Sequence, residues 1–443
     1  MSNAYRKATE YLLSFVNYER QPPPYDTKSL DLLRFRDFLA SLGNPQESFP
    51  ALLIAGTKGK GSTAAILASC LRAQGYKVGL YTSPHLSSFT ERIQVDNQPI
   101  AEQTFADLIE ELKPKLHLEG ETNFRTVFEI LTAMAFLYFQ RSKASFAVLE
   151  VGLGGRLDST NVVNPLASVI TSISYDHTET LGNTLPEIAR EKAGIIKKGS
   201  VVANAPQKPA AQRIIEGAVK EHHGVLLQVG RAVRYERLPL VGNYERFHLE
   251  GSFGSLPGLR LPLFGEHQVV NAATAYAAIL GLRLQGTEVA DRAVRQGFAF
   301  VQWPGRFEIL AKHPYIILDG AHNEDSARRL SQTVRERFPG RRVVLVIGIS
   351  SNKNIPGILK VLTPLAEGVI ATRFDNPRAA NPEAIASIVK TKNKPVNLAQ
   401  NTREALDLAR SLAGKEDVLL ITGSLYLVGE MRDLFLKGPL QKD

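Results

Sequence analysis

The chain is poor in sulfur and tryptophan, with one cysteine, three methionines and one tryptophan among 443 residues. A single thiol excludes an internal disulfide. Cys70 falls on the helical face shared with Ile66 and Leu67, so it reads as a small buried hydrophobe. No apolar run approaches the roughly 20 residues that a membrane-spanning helix needs. Internal repeats and low-complexity tracts are absent as well. Lysine and arginine (53) outnumber aspartate and glutamate (44), a net charge of +9. The basic residues are dispersed, without a long run or an interleaved aromatic platform, so the excess points to anionic small substrates rather than nucleic acid. Tyr5, Ala8, Leu12, Phe15 and Val16 recur at helical spacing among polar residues, unlike a signal peptide. A cytoplasmic protein with neither membrane nor nucleic-acid partner is expected.

The length allows two or three domains with separate cores. Residues 1–50 read as mostly helical, with a Pro22-Pro23-Pro24 break and a second amphipathic stretch through Leu30, Leu33, Phe38 and Leu39, ended by Gly43. From residue 50 strands and helices alternate. Strands are expected over 52–55, 78–81, 147–151, 168–173 and 201–203, and helices over 62–74, 127–140 and 185–193. That alternation argues for a parallel sheet covered by helices. Residues 225–264 change period: Phe247, Leu249, Gly251 and Phe253 alternate with polar residues, as do Leu259, Leu261 and Leu263, which predicts a small antiparallel subsheet. An alanine-rich helix is expected over 268–284. The segment around residues 300–305 reads as a linker into a second, smaller series, with strands over 316–318, 343–347, 369–372 and 418–421. The expected architecture is α/β: a parallel-sheet domain with the small antiparallel subsheet over residues 1–299, whose first strand leads into the P-loop described next, then a smaller Rossmann-like α/β domain over 300–443.

The most informative stretch runs from Leu52 to Thr63. A buried apolar strand leads into the glycine-rich turn Gly56-Thr57-Lys58-Gly59-Lys60-Gly61-Ser62, which opens a helix. Glycines let backbone N–H groups crowd round a triphosphate, Lys60 meets its charge, and the Ser62 hydroxyl can reach Mg²⁺. The strict G-x-x-x-x-G-K-[ST] spacing fails, because Ile54 stands five before Gly59 and Gly61 separates Lys60 from Ser62. This is a variant P-loop.

Other polar groups fall at strand ends. Glu150 closes an apolar strand, where a P-loop fold needs an acidic Mg²⁺ ligand; the alternative is a buried glutamate paired with Arg156. The segment 152–157 resembles a dinucleotide fingerprint but has Leu157 in place of its third glycine. Asp176-His177 follows the strand over 168–173 and falls at a site edge. Thr184-Leu185-Pro186-Glu187 is a capping box for a helix whose last turn holds Lys192, a place where the helix dipole alone favours a lysine. In the second domain Asp319-Gly320-Ala321-His322-Asn323 follows a strand directly. It can face a ligand, or Asp319 or Asn323 can cap the next helix.

Taken in order, these motifs resemble the folylpolyglutamate synthase and dihydrofolate synthase family of the Mur ligase superfamily, over nearly the whole chain. The residues that carry the resemblance also include Ser83-Pro84-His85-Leu86 with Glu91-Arg92-Ile93, Thr126-Val127-Phe128-Glu129, and Glu191-Lys192-Ala193-Gly194. His267-Gln268-Val269-Val270-Asn271, Pro304-Gly305-Arg306 and Thr422-Gly423-Ser424-Leu425-Tyr426 continue the match. The resemblance implies an ATP-dependent ligase that joins L-glutamate to a dihydropteroate or reduced folate carboxylate through an acyl phosphate, releasing ADP and phosphate. It implies that Gly59, Lys60, Gly61 and Ser62 hold the phosphates, and that Ser83, Glu150 and His177 serve two Mg²⁺ ions. Lys192 would be a carbamate that helps hold the second ion, which requires a depressed lysine pKa. Lys60, Glu150, His177 and Lys192 are thus the expected catalytic residues. Asn271 would contact adenine, Arg306 the phosphates and Asp319 the ribose, with His322 beside them, so the second domain must close over the first. Thr126, Phe128, Glu129 and Asp158 would line a pterin pocket. A monomer is expected. Two residues depart from the family pattern. Lys58 replaces the common asparagine, and Asn352-Lys353-Asn354 replaces Asp-Lys-Asp, although Asn354 can still cap the following helix.

Rival readings differ in what they require. Peptidoglycan ligases carry an extra N-terminal domain, whereas only some 50 residues precede this P-loop. A regulatory P-loop ATPase would hydrolyse ATP without an amino-acid co-substrate. Between the adjacent activities, dihydrofolate synthesis together with polyglutamylation is favoured over polyglutamylation alone.

Overall fold

The structure is a computed structural model describing residues 2–18, 30–116, 125–251 and 254–437. The expected break at Pro22-Pro23-Pro24 and the position of Phe253 lie outside these residues. The chain forms two compact units. One comprises residues 1–238, 246–261 and 268–301, the other residues 239–245, 262–267 and 302–443.

The first unit is built on an eight-stranded sheet. Its strands are β1 (Ala51–Ala55), β2 (Val78–Tyr81), β3 (Ile93–Val95), β4 (Gln98–Pro99), β5 (Phe146–Glu150), β6 (Ala167–Ile170), β7 (Val201–Asn204) and β8 (Val225–Gln228), in the order β4-β3-β2-β5-β1-β6-β7-β8. Only β3 and β4 run antiparallel to their neighbours. All residues of β1, β5, β6 and β7 are buried, which is why they read as continuous apolar runs rather than as alternation. From β1 the helix Lys60–Ala73 crosses to β2, leaving a gap that β5 later fills, and the chain then places β6 on the other side of β1. The carboxyl ends of β1, β5 and β6 therefore meet where the winding direction reverses, and such a crevice binds ligands. Register brings Glu150 beside Ile54 and Ile170 beside Ala55.

Two expectations are corrected here. Val225–Gln228 is not part of the antiparallel subsheet but a parallel edge strand paired with β7. The helix Pro209–Glu221 returns the chain to the sheet by an ordinary crossover, and the half-exposed edge position hides the apolar signal. Leu33 is 69% exposed; the helix Leu32–Ser41 buries Phe35, Phe38 and Leu39 instead, the i, i+3, i+4 face. The subsheet consists of β9 (Val233–Val241), β10 (Tyr244–Gly251) and β11 (Gly254–Leu261), with β10 central.

The second unit holds a six-stranded sheet of β12 (Glu308–Lys312), β13 (Tyr315–Asp319), β14 (Val343–Ile347), β15 (Gly368–Ala371), β16 (Val396–Leu398) and β17 (Val418–Thr422), ordered β12-β13-β17-β14-β15-β16. All pairs are parallel except β12 with β13. Its core gathers Ile317, Leu345, Ile347, Val369 and Leu420. The edge strands β12 and β16 escape a sequence reading because they are short and only partly buried.

Leu53 lies fully buried at the centre of the first sheet. Leu53→Ala should destabilise the protein by about 2–5 kcal/mol, whereas Val225→Ala on the edge should cost less than about 1 kcal/mol. Urea unfolding followed by circular dichroism checks both.

Candidate active site

The turn after β1 depends on two glycines. Gly56 has φ +147°, and a Cβ there would lie 1.9 Å from Thr171 Oγ1. Gly59 has φ +90°, and its Cβ would lie 2.2 Å from Asn271 Oδ1. Backbone therefore passes directly against the end of β6 and against the helix Glu266–Leu284, which any side chain would prevent. Gly59 caps the helix Lys60–Ala73 without a side-chain hydrogen bond, so no side chain caps the first-turn N–H groups, and Ser62 lies buried in that turn. Such a helix start favours an anion. Two ammonium groups converge on one acceptor: Lys60 Nζ donates to Gly56 O at 3.2 Å and Lys192 Nζ to the same oxygen at 3.0 Å.

Lys192 reaches this point because its helix is placed closely. Leu185–Ala193 starts at the expected capping box, with Thr184 and Glu187 exchanging hydrogen bonds. At its far end Gly194 lies against Arg156, where a Cβ would meet Arg156 Cβ at 2.4 Å. A Cβ on Gly155 would lie 2.8 Å from Glu191 O. The segment 152–157 therefore packs against the end of this helix and shows no dinucleotide-type turn into a helix of its own. Burial, followed by the neighbouring Lys60 ammonium, pushes the Lys192 pKa down to about 7.

Glu150 is buried at the end of β5, and its Oε2 accepts the Ser83 N–H at 3.1 Å. The Arg156 guanidinium pairs with Glu191 at 2.9 Å. Among the described residues no three His, Cys, Asp or Glu side chains gather into a metal-binding group. Mg²⁺ in nucleotide sites takes one or two protein ligands and completes its shell with water and phosphate oxygens, so Glu150 with the adjoining Ser83 fits such a site. His177 holds a left-handed backbone at φ +49° and starts the short helix Thr178–Leu181.

Thr126 and Glu129 form a second reciprocal capping box, at the start of the helix Val127–Arg141. Burial raises the Glu129 pKa, and the Thr126 N–H and the Arg125 guanidinium oppose that. The Phe128 ring stands 5.7 Å from that of Tyr81. Phe128 and Asp158 flank Gly152, whose Cβ would lie 2.7 Å from the ring and 3.3 Å from the carboxylate. Asp158 accepts the N–H groups of Leu153 and Thr160 and the Thr160 hydroxyl, holding this loop in shape, while burial raises its pKa.

In the second unit, Asp319 ends β13. Its carboxylate accepts the Phe307 and Ala321 N–H groups, both at 2.9 Å. Burial raises its pKa, and Arg306 opposes that rise. Arg306 runs beside Gly320, whose Cβ would lie 2.5 Å from the guanidinium. His322 Nδ1 lies 2.9 Å from Gly320 O, and since a carbonyl only accepts, that nitrogen donates. Asn323, not Asp319, caps the following helix, and Asn354 caps Ile355–Leu362 as expected. Two contacts escape a reading of the sequence. Lys58 pairs with Asp176, and Gln207 braces residues 171 and 173 through its amide. A cation and a carboxylate so far apart in the chain give no local signal.

Residues 54–279 match the Mur ligase middle domain, and residues 305–425 match the Mur ligase glutamate ligase domain. The chain is 35% identical over 436 residues to a Bacillus subtilis dihydrofolate synthase/folylpolyglutamate synthase, covering 98% of this chain and 99% of that protein. It is similar to the Mycobacterium tuberculosis folylpolyglutamate synthase structure complexed with ADP, with TM-score 0.89, 33% identity and 98% of each chain covered. It is also similar to the E. coli FolC structure in complex with DHPP and ADP, with TM-score 0.82, 32% identity, and 97% of this chain and 98% of that one covered.

The depressed Lys192 pKa has a sign that stability can report. The unfolded chain keeps this lysine protonated up to about 10.5, the folded chain only to about 7. Stability should therefore rise with pH between these values, by at most about 1.4 kcal/mol per unit from this group. In CO₂-free buffer Lys192→Met should flatten that rise in denaturant midpoints measured from pH 7 to 9.

Proposed function

The chain belongs to the folylpolyglutamate synthase and dihydrofolate synthase family of Mur ligases, and on that premise we propose that it is an ATP-dependent amide ligase adding L-glutamate to dihydropteroate and to reduced folates. The observation that carries the reading is the convergence of Lys60 and Lys192 on Gly56 O, at the strand ends that also present Glu150. In the first step a carboxylate oxygen of the pterin substrate attacks the γ-phosphorus of ATP, the bond to the β-phosphate oxygen breaks, and ADP leaves. In the second, the neutral glutamate amine attacks the acyl carbon, the carbon–oxygen bond to phosphate breaks, and the proton lost from nitrogen leaves with the released phosphate.

Catalysis here is mostly positioning and charge neutralisation, since an anionic nucleophile must approach a polyanion. The first-turn N–H groups and Ser62 hold the phosphates, and Lys60 turns its ammonium from Gly56 O to the phosphate oxygens. Glu150, Ser83 and His177 would hold Mg²⁺, which would supply positive charge to offset that of the phosphates. With its pKa lowered to about 7 by burial, Lys192 offers a neutral amine near neutral pH far more readily than an ordinary lysine. That amine can add to CO₂ with loss of a proton, turning a cation into a carboxylate suited to a second Mg²⁺.

Phe128, with Thr126, Glu129 and Asp158 close by, would receive the pterin. Asn271, Arg306, Asp319 and His322 would serve the nucleotide. Each Asp319 oxygen that accepts one backbone N–H keeps acceptor capacity for a ribose hydroxyl. We place the reaction in the cytoplasm, where ATP is made, and expect a monomer to suffice, because one chain supplies every residue named.

Purified protein should release ADP only when glutamate accompanies dihydropteroate or tetrahydrofolate, which a coupled ADP assay measures. Activity with both acceptors supports the bifunctional reading, and activity with tetrahydrofolate alone restricts it to polyglutamylation. ADP release without any acceptor would favour a regulatory ATPase. Lys60→Ala should lower kcat/KM by about 10²–10³-fold. Lys192→Ala should abolish ligation, and ¹³C NMR under ¹³CO₂ should lose a carbamate resonance in that variant.

A further inference from the structure

The turn over residues 56–59 is tied along its length to the segment 171–177. The Thr57 and Lys58 N–H groups both donate to Ser172 O, at 2.9 and 3.1 Å. The Thr57 hydroxyl donates to Ser174 O and accepts the Ser174 N–H, each at 3.1 Å. From the other side, the Gln207 amide donates to Thr171 O and accepts the Ile173 N–H, each at 3.0 Å. The last tie is ionic. Lys58 Nζ lies 2.5 Å from Asp176 Oδ2, and the two side chains are only 15% and 16% exposed. Asp176 immediately precedes His177, whose backbone occupies the left-handed region.

We propose that Lys58 is a positioning residue whose ion pair with Asp176 holds the His177 turn against the P-loop, and that it is not itself a phosphate ligand. Lys60 already brings a cation to Gly56 O, in the first turn of the helix that the P-loop opens. The charge of Lys58 is matched locally by Asp176, and Lys58, Lys60 and Asp176 all lie within electrostatic reach of Lys192. If Lys58 moved to a phosphate, the mostly buried Asp176 carboxylate would face a polyanion without that cation. Attraction at this separation, largely out of water, favours keeping the pair intact while nucleotide binds. Its backbone tie to Ser172 acts the same way, since it anchors Lys58 to the segment that it steadies.

The kinetic side of this inference rests on the ligase reading; the binding side does not. Full-length Lys58→Met, Asp176→Asn and the double variant would be titrated with ADP by calorimetry, in EDTA and in Mg²⁺, and assayed for kcat and KM for ATP. Each single variant should lower kcat at least about tenfold, with metal-free ADP affinity within about threefold of the parent. Each should also lose most of the gain in ADP affinity that Mg²⁺ confers. The double variant should be no worse than either single one, because all three remove the same pair. Lys58→Arg, which keeps the charge, should recover kcat and the Mg²⁺ effect, and circular dichroism checks folding of every variant.

A Lys58→Met variant that weakens metal-free ADP binding at least about tenfold, while Asp176→Asn does not, would make Lys58 a phosphate ligand and overturn the inference. Parent-like kcat and Mg²⁺ dependence in both single variants would overturn it as well. Were the parent to show no ligation, the ligase reading would fall while the calorimetric comparison still decided the role of Lys58.

Discussion

One close approach governs the first unit: the Gly56 backbone lies against Thr171 with no room for a methyl group. This contact brings the P-loop onto the end of β6. It places the Gly56 carbonyl where two lysines from separate helices can both reach it. It also puts Thr57 and Lys58 within hydrogen-bond range of Ser172. A side chain at position 56 would push the strand ends apart and open each of these contacts together.

The electrostatics follow from that geometry. Three lysines and two carboxylates lie around one turn, and Lys192 is shielded from water in their midst. Burial and a neighbouring cation both penalise its ammonium form, so a group that is ordinarily charged gives up its proton far more readily. Lys58 does not add to this excess because Asp176 matches it.

Much of the candidate site is legible in the linear sequence. Gly56, Gly59, Lys60 and Ser62 announce a phosphate cradle through local spacing, because a strand, a tight turn and a helix start must follow one another within a dozen residues. Thr184 with Glu187 and Thr126 with Glu129 are visible for the same reason: a capping box is complete within four residues. The second box shows the limit of such reading. Thr126 and Glu129 are engaged with each other's backbone, so in this structure what they do is shape the helix start beside Phe128.

What lies outside a linear reading depends on long-range pairing. The edge strands β8, β12 and β16 are short and partly exposed, so their apolar pattern is faint until a neighbour is in register. In the sequence Lys58 is an extra cation without a role, and only folding sets Asp176 across from it. Arg156 likewise finds the carboxylate of Glu191, 35 residues along the chain, which nothing local to it announces. By itself the sequence determined the alternation of elements, the phosphate-binding turn and the helix caps, because periodicity, glycine spacing and capping are local properties of the chain. Only the tertiary structure decided which charges meet and what Lys192 becomes, because pairing and desolvation depend on groups that the chain holds more than a hundred residues apart and folding brings within about 3 Å.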